Sequence, residues 1–126
     1  LSNGLQADTL KIQEADTTYA VRIETWIKAA GKVSSTGAPI KVYGATVSRI
    51  NQGDYQITFT QARPDANYII QLSLPSLNSG NDDPGITYYD QQTSGFKVNI
   101  GDNDNGGTAS ADVNSQFMFT VIDFDF

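Results

Sequence analysis

With no histidine and no cysteine among 126 residues, few chemistries are open to this chain. A Ser-His-Asp or Cys-His nucleophile cannot be assembled, and the common zinc sites lose both usual ligands. The stretch "GDNDNGG" from Gly101 lacks the lysine and following helix that a phosphate-cradling loop needs. A pair of carboxylates could still hydrolyse a polysaccharide. The two glutamates, Glu14 and Glu24, both fall in the first part of the chain. The aspartates mostly occupy turn contexts, where their side chains bond nearby backbone groups. "DNDNGGTASADV" from Asp102 begins like a calcium loop, with acids at its first and third positions. Gly106 then replaces a ligand, and Val113 stands where the bidentate glutamate belongs. The chain is expected to be no enzyme and to carry no metal or other cofactor. A small polysaccharide-cleaving activity is the catalytic alternative.

The aromatic residues offer a different chemistry. Tyr88 and Tyr89 are adjacent, so on a strand they point to opposite faces and at least one leaves the core. A phenol ring can lie along the apolar face of a sugar while neighbouring polar side chains bond its hydroxyls. Asn81, Asp82 and Asp83 lie just upstream and Asp90 just after, completing a candidate ligand-binding set. The competing reading packs the outer tyrosine under a loop or at a subunit contact. Trp26, the only tryptophan, is expected to anchor the core.

Charge narrows the partners. The net charge is −6, and residues 81–126 hold eight aspartates against Lys97 alone. Such a surface is repelled by phosphate backbones and by anionic lipid, so neither nucleic acid nor membrane insertion is expected. No run of apolar residues is long enough to span a bilayer. The start at Leu1, with no signal-peptide pattern, reads as a fragment of a longer polypeptide.

The elements that must position these residues are strands. Only 17% of residues are charged, and Gly, Asn, Asp, Ser and Thr are plentiful, as in many short strands joined by tight turns. Leu10 and Ile12, then Tyr19, Val21 and Ile23, alternate with polar residues; the good helix formers in that region leave a helix as the alternative. "IKVYGATVSRI" from Ile40 reads as one strand, with Gly44 marking a bulge or a close approach. A turn at 51–54 returns the chain through Tyr55, Ile57 and Phe59, and Pro64-Asp65-Ala66-Asn67 makes a corner before Tyr68. Ile86 to Asp90 and Phe96 to Ile100 pair next, and the segments 76–85 and 101–115 are polar loops.

The last strand, about Gln116 to Phe126, is apolar on both sides. Phe117, Phe119 and Val121 face one way; Met118, Ile122, Phe124 and Phe126 face the other. Two apolar faces need two covers. One is the opposing sheet; the other is either a neighbouring subunit or a loop of the same chain. Phe117, Met118, Phe119, Ile122 and Phe124 are therefore candidate subunit-interface residues.

From Trp26 to about Leu74 the chain resembles a module of tailed-bacteriophage tail-fibre and receptor-binding proteins. The likeness rests on Trp26-Ile27 with Gly31, on Val47-Ser48-Arg49-Ile50, on Gly53-Asp54-Tyr55 with Thr58-Phe59-Thr60, and on Pro64-Asp65-Ala66-Asn67-Tyr68. The family has an Asn before its Val-Ser pair, where this chain has Ala45-Thr46, and "AAGKVSSTGAPIKVYG" has little likeness to it. The segment 6–12 resembles the repeats of fibre shafts, and residues 76–126 match only in outline. The resemblance implies a homotrimeric, extracellular part of a virion, with a stalk-like segment over 1–21 and a head over 22–126. The head is expected to be an all-β, antiparallel, jelly-roll-like sandwich. Its implied partners are copies of itself and a glycan or protein of the host cell surface. A trimerising cap without a ligand of its own is the structural alternative.

Overall fold

A computed structural model describes residues 26–76, 84–102 and 111–124 of the chain. The expected stalk-like segment 1–21 and its boundary with the head lie outside the described residues. So do Asn81, Asp82, Asp83 and Phe126. The strands are β1 (Ile27–Val33), β2 (Pro39–Tyr43), β3 (Ala45–Asn51), β4 (Asp54–Phe59), β5 (Ile69–Ser73), β6 (Pro84–Gln92), β7 (Gly95–Asp102), β8 (Ala111–Asp112) and β9 (Phe117–Ile122).

Among the described residues these strands form two antiparallel sheets. Sheet one has the order β2-β1-β9-β5; sheet two has the order β3-β4-β7-β6, with β8 pairing beyond the end of β4 on β7. Three hairpins, β1/β2, β3/β4 and β6/β7, each stay within one sheet. That order departs from the expected jelly roll, whose strands pair through Greek keys.

The inner faces meet in one core. Ala29, Val33, Phe117, Phe119 and Val121 come from sheet one; Tyr55, Ile57, Phe59, Phe96, Val98 and Ile100 come from sheet two. Aromatic rings tie the layers: Tyr55 to Phe117 at 4.9 Å and Phe96 to Phe119 at 6.2 Å between centroids. The alternation read from Tyr55 to Phe59 is the alternation of core and surface, because successive strand residues point to opposite faces.

Gly44 decides a connection that looked like one strand. It sits at φ +76°, and a Cβ there would run into the Lys28 carbonyl. The chain turns at this point and leaves sheet one for sheet two, so "IKVYGATVSRI" is two strands in different layers. Residues 60–68 make the second passage between sheets. Asp65 accepts from the Asn67 N–H at 2.8 Å, and Arg63 pairs with Asp123 at 2.9 Å with both side chains largely buried.

β9 is a central strand, covered on its inner side by the chain's own second sheet. Phe117 and Phe119 are sealed there, with Phe119 only 2% exposed. Gly31, directly opposite, leaves room for its ring: a Cβ on Gly31 would come within 2.8 Å of it. These two phenylalanines are therefore withdrawn from the candidate subunit interface, since a single copy already buries them. Met118, Ile122 and Phe124 remain on the outer side.

Candidate functional site

The outer face of sheet two carries the polar and aromatic groups. Strand register sets which residues share it: Tyr89 lies opposite Lys97, Thr87 opposite Asn99, and Asn99 opposite Asp54. The Asn99 amide donates to Asp54 Oδ1 at 2.8 Å and to Asp112 Oδ1 at 3.1 Å, joining β4, β7 and β8. The Tyr89 hydroxyl reaches the same Asp54 oxygen at 3.4 Å, while 41% of the residue stays exposed. The Lys97 ammonium sits 5.9 Å from the Tyr89 ring centre and pairs with Asp90 at 3.0 Å. β4 supplies Asp54, β6 supplies Tyr89 and Asp90, β7 supplies Lys97 and Asn99, and β8 supplies Asp112, so the sheet's pleat positions all of them.

The local electrostatics follow from these contacts. Partial burial, then the Asp54 charge, push the Tyr89 phenol above its ordinary value. The Gln92 amide, then Lys97, stabilise the Asp90 carboxylate and hold it below its usual range. Asp90 in turn raises Lys97. All three groups keep their ordinary charge states at neutral pH. Asp90 also adopts φ +51°, where the β6/β7 pairing shifts register between Tyr89 and Gln92. That bulge turns its carboxylate back toward Gln92, whose amide donates at 2.6 Å.

The structure separates the two adjacent tyrosines. Tyr88 lies opposite Val98, a core residue, and so points to the inner side. β6 is an edge strand, however, and Tyr88 is 49% exposed. It lines a cleft of about 420 Å³ with Ile70, Leu72, Ile86 and Thr87, at the margin where β5 and β6 border the sandwich. One flat ligand cannot engage both rings. Of the expected set, Tyr89 and Asp90 come together, Tyr88 does not join them, and 81–83 lie outside the described residues.

Asp54, Lys97, Asn99 and Asp112 were not singled out as site residues from the sequence. Asp54 and Asn99 are 45 positions apart, and the only available signal was the polar phase of the strand alternation. Reading that phase requires the β4/β7 register, which only the fold provides. The stretch expected as a polar loop over 101–115 also contains structure. Asp112 lies in β8, the Asn114 side chain accepts from the Gly53 N–H at 2.9 Å, and Ser115 is buried against Tyr55.

The outer face of sheet one has the opposite character. Ile27, Ile122 and Ile69 lie directly opposite one another across β1, β9 and β5. Trp26 and Phe124 meet edge-on beside them at 5.8 Å. Trp26 is 39% exposed, so it does not anchor the core as expected.

Among the described residues no group of three or more carboxylates gathers in a way that could hold a metal ion. Comparison with known protein families, curated proteins and solved structures finds no match for this chain.

Proposed function

We propose that this chain is a non-catalytic recognition module of the kind that ends bacteriophage tail fibres, binding a glycan of the host cell surface. The observation that carries this reading is the exposed Tyr89 ring set among Asp54, Asp90, Lys97 and Asn99 on the outer face of sheet two. A sugar's apolar face stacks on such a ring, while carboxylates and amides within one residue's reach bond its hydroxyls. Few groups contribute, so a single site is weak, and a homotrimer in the virion would gain through multivalency. Met118, Ile122 and Phe124 are the candidate interface residues that the chain's own core leaves on the surface. The "GDY" hairpin and "PDANY" corner, on which the resemblance to tail-fibre modules rests, here position Tyr55 and Tyr68 in the core.

Host-surface polysaccharide binding to the purified chain tests the reading. Tyr89→Ala should weaken it about tenfold, near 1.4 kcal/mol, and Asp54→Ala should weaken it in the same direction. Tyr88→Ala should change it little. An unchanged affinity in folded Tyr89→Ala refutes the site. The apolar outer face of sheet one favours a second reading, a trimerising connector without a ligand. In that case no variant of sheet two alters host adsorption, and variants of sheet one alter assembly.

A further inference from the structure

The side-chain amide donors on the outer face of sheet two are spent within the protein, while its side-chain oxygens stay open. Register places Ser48, Gln56, Lys97 and Tyr89 in one row across the sheet, with Asp54, Asn99 and Thr87 in the next. The Asn99 amide gives its two protons to Asp54 and Asp112. The Gln56 amide gives both of its own to the carbonyls of Ile57 and Phe96. The Tyr89 hydroxyl turns to Asp54, and the Lys97 ammonium to Asp90. The second carboxylate oxygens of Asp54 and Asp112, and the amide oxygens of Asn99 and Gln56, accept from no described residue.

Charge points the same way. Asp54, Asp90 and Asp112 set three carboxylates against the one ammonium of Lys97, a balance of −2. No other described cation belongs to this face. Lys28, Lys32 and Lys41 lie on strands of sheet one, Arg63 is held by Asp123, and Arg49 lies opposite the core residue Tyr55. Acidic ligands are held through arginine or lysine groups that aim their protons at the anion.

Given the glycan reading of the Tyr89 site, we infer that its ligand is a glycan free of carboxylate and phosphate groups, donating protons to these open oxygens. A sugar hydroxyl can serve each of them, whereas an ionised carboxylate or phosphodiester brings only more acceptors and like charge. Lys97 does not reverse this, because Asp90 lies 3.0 Å away and offsets its charge. Its ammonium also stands over one side of the Tyr89 ring, so a sugar stacks on the other side. Acidic capsules and phosphate-bearing surface polymers are thereby excluded as ligands of this face.

The test titrates the full 126-residue chain with neutral hexose oligosaccharides. Each is paired with the same oligosaccharide oxidised at its primary alcohols to the uronic acid. The neutral member should bind in a manner that Tyr89→Ala weakens. The oxidised member should bind about tenfold more weakly at low salt, and high salt should close most of that gap by screening. Asp90→Asn gives a second measurement. Asparagine tolerates φ +51° as aspartate does, so the bulge is kept while Lys97 loses its counter-charge. The gap should then narrow to about threefold. Equal or tighter binding of the oxidised member, still lost in Tyr89→Ala, overturns the charge selection and leaves the site standing. A gap that neither salt nor Asp90→Asn changes overturns it too, since the lost hydroxyl then accounts for the difference. Binding that ignores Tyr89→Ala, or no binding by any member, overturns the glycan reading and the charge selection together.

Discussion

The Tyr68 hydroxyl donates to the Gln92 carbonyl at 2.6 Å and reaches the Gly95 carbonyl at 3.0 Å, in a residue only 4% exposed. It closes the end of the β6/β7 hairpin onto the corner before β5. Tyr68→Phe keeps the ring and abandons two carbonyls, so it should cost about 1–3 kcal/mol in urea denaturation. The same burial, only partly opposed by the bond to Gln92, raises the phenol from its ordinary 10.0 to about 12. Burial also raises Tyr55. Between pH 10 and about 12 the unfolded chain has lost a proton that the folded chain still holds. Raising the pH therefore draws the equilibrium toward the unfolded state. The contribution of these phenols should be level up to about pH 10 and decline above it. Denaturation midpoints across that range check this, and Tyr68→Phe should flatten part of the decline. Tyr89 sits at the other extreme: its ring is exposed, so its loss should register in binding and not in stability.

At the scale of elements, the β3/β4 hairpin was readable because its alternation, its turn at Gln52-Gly53 and its register agree with one another. The β2–β3 connection was not. A run of apolar and β-branched residues reads the same whether it continues or crosses between layers, and only the surroundings of Gly44 settle it. Gly44→Ala adds a Cβ at positive φ against the Lys28 carbonyl. It should cost about 2 kcal/mol or more, from backbone strain together with the clash. β9 shows the reverse case. Its two faces were assigned correctly from alternation, but which face met the chain's own core was open. Phe119→Ala should cost about 3–5 kcal/mol, as expected for a fully buried ring. Met118→Ala on the other face should cost far less unless a partner covers it. The two variants compared by urea denaturation separate the faces.

Across the whole molecule the two outer faces divide the work. Sheet two presents hydrogen-bonded carboxylates, an amide and an exposed ring; sheet one presents a row of isoleucines beside Trp26 and Phe124. Arg63 and Asp123 fasten the corner after β4 to the chain leaving β9, and so join the layers. Asp123→Asn leaves the largely buried guanidinium without its counter-charge and should destabilise by about 3 kcal/mol. Replacing both partners with apolar residues should cost less. If the chain assembles as proposed, light scattering should give three times the mass of one copy, and Met118→Asp should lower it toward one. A single-copy mass in the parent chain at micromolar concentration would refute the assembly.

The sequence by itself determined the excluded chemistries, the all-β class, the hairpin and corner around Tyr55 and Tyr68, and the two-sided character of the last strand. Each of these depends on residue type or on spacing within a few positions, where backbone geometry acts locally. Tertiary structure alone decided which strands share a sheet, that Phe117 and Phe119 face inward, that Tyr88 and Tyr89 part company, and that Asp54, Asn99 and Asp112 meet. Those outcomes depend on pairing between segments tens of residues apart. A shift of one residue in that register would send every side chain to the opposite face, and no local pattern records which register the packed core selects.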